Sequence, residues 1–124
     1  MGKKVKILVV DRSPLVAPRV KDLLSEKKEM ILVGEARDAE EALSALEYIS
    51  FDYVLIDLPF KIATGLLSEI KQKYPDCRVV MFTNSTEWAY RTICKQLGAD
   101  YFIDKSSEFK ILEDALLKDL LADA

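Results

Sequence analysis

The sequence predicts an α/β fold in which a five-stranded parallel sheet is covered by helices on both faces. Short runs of aliphatic and β-branched residues recur five times along the 124 residues, which is typical of strands buried on both faces. Between these runs lie longer segments whose apolar residues recur at helical spacing. Because successive parallel strands are joined by right-handed crossovers, this alternation predicts a single three-layer domain.

The predicted elements follow one another without a linker or a low-complexity segment. The strands are predicted at Val5–Val10, Met30–Val33, Tyr53–Asp57, Arg78–Thr83 and Tyr101–Ile103. The helices are predicted at Val16–Leu24, Ala39–Leu46, Gly65–Tyr74, Glu87–Leu97 and Ser107–Leu121. Asp38 with Glu41 resembles a capping box, and Gly98 suits a C-terminal cap. Pro18 is expected to kink the first helix or to delay its start.

Composition and charge exclude several classes of function. The chain has 18 basic and 21 acidic residues and a net charge of −3, so direct DNA binding is not expected. It has no histidine, which excludes catalysis by histidine, zinc sites that use it and a phosphohistidine of its own. No apolar run approaches the roughly 20 residues of a membrane span, and no signal peptide is recognisable, so we expect a cytoplasmic location and no membrane partner. Cys77 and Cys94 are then expected to be reduced and buried.

Polar side chains follow four of the five predicted strands. Asp11 and Arg12 follow the first, Asp57 ends the third, Thr83 ends the fourth and Lys105 lies just past the fifth. Since the carboxyl ends of parallel strands meet at one edge of the sheet, these residues are expected to converge there. A carboxylate can attack phosphorus, and a lysine with a hydroxyl can bind the transferred phosphoryl oxygens. The turn after the first strand has no glycine, which disfavours a nucleotide-binding loop.

Four segments in order, VDRSPL, VLIDLPFKIATG, VVMFTN and GADYFIDKS, resemble the receiver domain of bacterial two-component response regulators. The resemblance covers essentially the whole chain and implies a flavodoxin-like (βα)5 three-layer sandwich. It also implies that Asp57 is the phosphoacceptor, that Thr83 and Lys105 contact the phosphoryl group, and that Thr83 and Phe102 form the switch. The implied phosphoryl donor is a sensor histidine kinase.

The acidic pocket departs from the family pattern, which has two adjacent acids after the first strand. The implied metal ligands here are Asp11, Asp57 and the backbone carbonyl of Pro59, while Arg12 takes the second acidic position. The charges of Asp11, Asp57, Arg12 and Lys105 sum to zero, so we expect Mg²⁺ binding to be weak or absent. An opposite charge 4 Å away is worth about 4 kcal/mol at an effective dielectric constant near 20. Either Arg12 pairs with Asp57 in place of the metal, or it points into solvent and leaves a weak metal site.

Two groups of apolar residues are candidates for an interaction face. Trp88, Tyr90 and Tyr101 cluster near the fourth helix and fifth strand, where they either mark a partner surface or serve plain packing. Leu117 and Leu121 form a second apolar stripe on the last helix, which suggests a homodimer or a docking face against the alternative of a frayed end.

The expected protein is a single receiver domain over residues 1–124, without an output domain and without enzymatic activity. As a phosphoprotein of a phosphorelay, it would accept a phosphoryl group on Asp57 from a sensor histidine kinase and signal through a downstream protein or a homodimer. The alternative is a phosphorylation-independent pseudo-receiver, an interaction module in which Arg12 replaces the metal.

Overall fold

Strands and helices alternate five times in the computed structural model, which describes residues 4–24 and 31–122, the side chains of 119–122 excepted. The strands are β1 (Val5–Asp11), β2 (Ile31–Ala36), β3 (Tyr53–Asp57), β4 (Arg78–Thr83) and β5 (Tyr101–Asp104). The helices are α1 (Val16–Leu23), α2 (Ala39–Tyr48), α3 (Phe60–Lys73), α4 (Trp88–Gln96) and α5 (Phe109–Ala122). The strands lie in the order β2-β1-β3-β4-β5 in one sheet, and every described pair of neighbouring strands is parallel. This arrangement confirms the predicted fold class.

The sheet separates two hydrophobic cores, because successive strand residues point to opposite faces. On one face, Leu8 and Val10 of β1 pack with residues of α2, α3 and α4. On the other, Ile7 and Val9 pack with residues of α1 and α5. This alternation makes the central strands apolar on both sides. None of the helices within the described ranges is long and apolar enough to cross a membrane.

Strand β2 extends beyond its predicted end at Val33, and its predicted first residue, Met30, lies outside the described residues. Gly34 continues the ladder opposite Leu8. A Cβ at Gly34 would come within 3.3 Å of the Phe51 ring, so the close approach of that ring accounts for a glycine within the strand.

Helix α3 begins at Phe60, five residues earlier than its apolar stripe predicted. Pro59 is the residue before the helix, and its carbonyl oxygen accepts a hydrogen bond from the N–H of Ala63 at 2.8 Å. Proline is well suited to a helix start, because its fixed φ favours the entry and its missing N–H would lack an intrahelical partner there. The turn after β3 is therefore short, and α3 starts close to Asp57.

The predicted start of α2 and the predicted end of α4 are confirmed, and a capping residue marks each of them. The Asp38 carboxylate accepts from the N–H of Glu41 at 2.8 Å and caps α2. Gly98 has a φ of +101° and ends α4, and the N–H groups of Gly98 and Ala99 bond back to carbonyls of the last turn. Pro18 lies in the first turn of α1, where its missing N–H removes no intrahelical hydrogen bond, so the helix starts at Val16 without delay.

Candidate functional site

Asp11 and Asp57 end neighbouring strands and lie opposite each other in the register of β1 and β3. Asp11 is buried, with 9% of its surface exposed, and Asp57 is half-buried. The N–H of Ser13 donates to Asp11 Oδ1 at 2.8 Å, which holds this oxygen in the turn after β1. The other carboxylate oxygen, Oδ2, is thereby left for a partner from another element.

That partner is Lys105, which follows β5 and whose N–H donates to the carbonyl oxygen of Thr83 at 3.0 Å. Its Nζ donates to Asp11 Oδ2 at 2.5 Å and to Asp57 Oδ2 at 2.8 Å. Burial lowers the pKa of Lys105, but hydrogen bonds and charge from the two carboxylates outweigh burial and leave the pKa above its ordinary value. A charged ammonium therefore bridges the two acids at neutral pH.

Thr83 ends β4 on the same edge and is buried, with 3% of its surface exposed. Its hydroxyl oxygen accepts a hydrogen bond from the N–H of Ser85 at 3.0 Å. Within the described residues no hydrogen bond joins this hydroxyl to Asp57 or to Lys105. Since a hydroxyl has one proton to donate in addition to its lone pairs, Thr83 keeps a donor for a ligand at this edge.

Of the two alternatives for Arg12, the structure shows the side chain directed into solvent and not the pair with Asp57. Its side chain is exposed, and in the described part of the chain no ion pair joins it to either carboxylate. Arg12 comes directly after the last residue of β1, in the bend where the chain leaves the strand. The cation that pairs with both acids is Lys105, which follows β5.

A divalent cation at this edge would compete with Lys105 for the two carboxylates. The two carboxylates share Lys105, and among the described residues no group of three His, Cys, Asp or Glu side chains could hold a metal ion. The third expected ligand, the Pro59 carbonyl, accepts from the N–H of Ala63 in the first turn of α3 and keeps a second lone pair. Mg²⁺ can bind through one or two carboxylates completed by water, so Asp11, Asp57 and the Pro59 carbonyl would hold it in competition with the Lys105 ammonium.

The predicted aromatic and apolar residues separate into exposed and buried ones. Trp88 is 79% exposed, but Tyr90 is buried, so the prediction that Tyr90 belongs to an exposed face is wrong. Tyr101 and Leu117 are partly buried against the core on the α1 and α5 side. The side chain of Leu121 lies outside the described residues.

Phe102 is half-buried and lies at the end of the sheet next to α4. Its ring meets that of Tyr90 edge to face, with centroids 5.5 Å apart, and the Tyr90 ring also meets that of Phe60 at 5.0 Å. The sequence pattern missed Phe60, because the predicted start of α3 at Gly65 left Phe60 in a loop. Pro59, as a typical residue at a helix start, was the available signal. Cys77 and Cys94 are free and buried, as predicted.

The sequence matches the response regulator receiver domain family over residues 7–117. A protein-glutamate methylesterase/protein-glutamine glutaminase of Pyrococcus horikoshii is 34% identical over 122 residues, covering 96% of this chain and 33% of the relative. The nitrate/nitrite response regulator protein NarL of Escherichia coli is 30% identical over 112 residues, covering 89% of this chain and 52% of NarL. The chain thus spans about a third to a half of the length of these relatives.

Solved structures of response regulators share the fold of this chain. A response regulator from Thermotoga maritima superposes with a TM-score of 0.83 at 22% identity, covering 93% of this chain and 96% of the other, and shows the shared fold. A CheY-like response regulator receiver domain from Methanospirillum hungatei superposes with a TM-score of 0.81 at 25% identity, covering 98% and 97% of the two chains. The strand order, the two acids at the carboxyl ends of β1 and β3 and the match over residues 7–117 all indicate the same family. The chain belongs to the response regulator receiver domain family.

Proposed function

We propose that this chain is the phosphoacceptor of a two-component phosphorelay, in which Asp57 takes a phosphoryl group from the phosphohistidine of a sensor histidine kinase. One observation carries the proposal beyond family membership: Asp57 ends β3 beside Asp11, with the Lys105 ammonium 2.8 Å from its carboxylate. Asp57 is also half-buried and not fully enclosed, so a donor could approach it. A chain without histidine depends on an outside donor for this chemistry.

The transfer would form one bond and break one. A carboxylate oxygen of Asp57 bonds to phosphorus while the bond from phosphorus to the donor's imidazole nitrogen breaks. The nitrogen keeps the electron pair of that bond and takes a proton from solvent. Lys105 would stabilise the negative charge on the phosphoryl oxygens, and the Thr83 hydroxyl would donate a hydrogen bond to one of them. A metal ion at this edge would share Asp11 and Asp57 with Lys105, and no step is assigned to it.

Intact-mass measurement after incubation with acetyl phosphate tests the proposal. The wild-type chain should gain the mass of one phosphoryl group, and Asp57→Ala should not. Each reaction is run with and without Mg²⁺, and a Mg²⁺ titration followed by Trp88 fluorescence should show weak or undetectable binding. If the wild type remains unmodified under all conditions, the phosphoacceptor function is refuted.

A second candidate function is a phosphorylation-independent interaction module. The observation in its favour is that Lys105 already pairs with both carboxylates, while the exposed Arg12 stands where the family pattern has a second acid. In this case the mass of the wild type would stay unchanged, and only Arg12→Asp would become modified, because that substitution restores the second acid. The same experiment therefore separates the two functions.

The signal would leave through protein contacts, by way of a downstream protein or a second copy of this chain. Trp88 on α4 and Ile111 on α5 are exposed, at 79% and 45%, and offer apolar surface for such a contact. Leu117, another residue predicted for the interaction face, is partly buried against the core. Light scattering at high concentration tests the homodimer, and a monomer both with and without phosphorylation would rule the homodimer out. The chain itself is proposed to have no enzymatic activity and to make no direct contact with DNA.

A further inference from the structure

The turn that carries Lys105 is closed by the side chain of Asp104, the last residue of β5. Asp104 Oδ1 accepts hydrogen bonds from the N–H of Ser106 at 2.9 Å and from the Ser106 hydroxyl at 2.7 Å. Both donors belong to the residue after Lys105, so the carboxylate reaches across Lys105 and holds its two neighbours together. A side-chain turn of this kind restricts the backbone between the acceptor and the donor.

The main chain of Asp104 connects the same turn to the start of α5. Its N–H donates to Glu108 Oε1 at 2.7 Å, and its carbonyl oxygen accepts from the N–H of Glu108 at 2.8 Å. This reciprocal pairing resembles a capping box. Lys105 lies between the two residues, and its own N–H donates to the carbonyl oxygen of Thr83 on β4 at 3.0 Å. The backbone of Lys105 is therefore held from β4, from β5 and from α5.

Hydrogen bonds alone restrict this turn. Neither Lys105 nor its two neighbours in the chain is a proline, so no ring fixes a φ angle there. Hydrogen bonds from the Ser106 side chain and backbone, with a further one from the Ser107 side chain, hold the pKa of Asp104 below its ordinary value. The Asp104 carboxylate is therefore ionised at neutral pH and accepts from these donors.

The position of the turn decides where the Lys105 ammonium lies. The ammonium ends a flexible stem and must meet Asp11 and Asp57, which belong to two other strands, at 2.5 and 2.8 Å. Each conformation that the stem loses on binding costs entropy, and a backbone held in place leaves fewer of them to lose. A loosened turn would therefore let the ammonium spend less time between the two acids.

We propose that Asp104 is a positioning residue, which holds the turn after β5 so that the Lys105 ammonium bridges Asp11 and Asp57. In the described part of the chain no ion pair joins the Asp104 carboxylate to that ammonium, so Asp104 acts through the backbone. Loosening the turn exposes the ammonium to water and slows the transfer of a phosphoryl group to Asp57. Only the effect on transfer rests on the proposed function, because the bridge itself can be observed without a phosphoryl donor.

Side-chain NMR of the full chain, labelled with a nitrogen isotope, tests the bridge. A lysine ammonium gives a proton–nitrogen signal when its protons exchange slowly with water, as expected for Lys105, and Lys105→Met identifies that signal. Asp104→Ala should raise the exchange rate by about threefold or more. Asp104→Asn keeps the acceptor oxygen without the charge and should retain the slow exchange of the wild type.

A second variant keeps the test decisive if Asp104→Ala does not fold. Ser106→Ala removes only the hydroxyl donor, and Ser106 is exposed, so the fold should be preserved. The exchange rate of the Lys105 ammonium should rise in this variant as well, but less than in Asp104→Ala. An exchange rate equal to that of the wild type in Ser106→Ala would count against the proposed role of the turn.

Asp38→Ala is the matched control, because Asp38 makes the same kind of bond at the start of α2. Its carboxylate accepts from the N–H of Glu41 at 2.8 Å, and Glu41 Oε1 accepts from the N–H of Arg37 at 2.9 Å. Either substitution removes a carboxylate at a helix start and should lower the unfolding temperature. Only Asp104→Ala should change the signal of the Lys105 ammonium, which a role in stability alone would leave unchanged.

The effect on transfer is measured as the rate of mass gain with acetyl phosphate. Asp104→Ala should slow the reaction by about threefold or more, with Asp104→Asn and Asp38→Ala close to the wild type. The inference is overturned if the ammonium signal of Asp104→Ala equals that of the wild type, if Asp38→Ala changes the signal equally, or if Asp104→Asn behaves like Asp104→Ala. A wild type that gains no mass would refute the proposed function alone, since the ammonium signal still decides the role of Asp104.

Discussion

Replacing Lys105 with methionine tests whether one ammonium holds the acidic edge together. Methionine keeps an unbranched apolar side chain and removes the charge. The side chains involved are largely shielded from water, with 14% of Lys105, 8% of Asp11 and 26% of Asp57 exposed. The substitution would therefore leave two neighbouring carboxylates without their cation.

The size of the effect follows from opposing contributions. Opposite unit charges about 3 Å apart attract by about 5–6 kcal/mol at an effective dielectric constant near 20, and the desolvation of the ions offsets much of this. Removing one partner of a fully buried pair costs about 3–5 kcal/mol. Because Asp57 keeps partial contact with water, we expect Lys105→Met to lower the free energy of unfolding by about 2–4 kcal/mol at pH 7.

Urea denaturation followed by circular dichroism measures this loss, with two controls. Lys73→Met removes an ammonium that is 60% exposed and paired with Glu69, so its effect should stay below about 0.5 kcal/mol. Asp57→Asn leaves Lys105 paired with Asp11 and should change the free energy by about 1 kcal/mol or less. If Lys105→Met is no more destabilising than Lys73→Met, the view of Lys105 as the cation that holds the edge together is refuted.

Three further predictions concern pH and the backbone. The pKa of Lys105 is raised in the folded state, so its contribution to stability is complete below the ordinary pKa of 10.5 and is lost as the pH rises through the folded-state pKa. The difference in free energy of unfolding between wild type and Lys105→Met, measured by urea denaturation, should therefore shrink at alkaline pH. Gly65→Ala should raise the free energy of unfolding by about 0.5–1 kcal/mol, since Gly65 lies within α3 and a Cβ there would meet no neighbouring element within 4 Å. Gly98→Ala should lower the free energy of unfolding by about 1–2 kcal/mol, because Gly98 has a φ of +101°. A gain in stability at both positions would contradict this. Asp100→Ala should lower the free energy of unfolding by about 1–3 kcal/mol, because the carboxylate accepts from the N–H of Val79 at 2.8 Å and pairs with Lys71 at 2.6 Å. An unchanged midpoint in thermal or urea unfolding would show that water replaces both contacts.

The acidic edge shows how far a receiver domain can depart from the common pattern of acids and keep its fold. The apolar strands and the helices that cover them fix the sheet, and the side chains at its edge can change without altering the core. Arg12 is such a change, since it is exposed and takes part in no ion pair with the two acids in the described part of the chain. What it alters is the charge that a donor or a divalent cation meets on approach.

The sequence by itself determined the fold class and the set of residues at the edge. Strands such as Val5–Asp11 and Tyr53–Asp57 are apolar on both faces, and the periodicity changes from two to 3.6 residues between strand and helix, so local pattern and global fold agree. The convergence of Asp11, Asp57 and Lys105 also followed from sequence, because parallel strands place their carboxyl ends at one edge.

Only the tertiary structure decided which of these side chains pair and which apolar residues are exposed. Arg12 and Lys105 carry the same charge, and the choice between them depends on the direction in which each leaves its strand, which composition does not encode. Tyr90 and Trp88 lie two residues apart on α4 and so point to different sides of the helix, but only the approach of Phe60 and Phe102 from other elements decides that the side of Tyr90 is the enclosed one. Local patterns fix backbone elements through short-range interactions, whereas pairing and enclosure depend on residues that are distant in the chain.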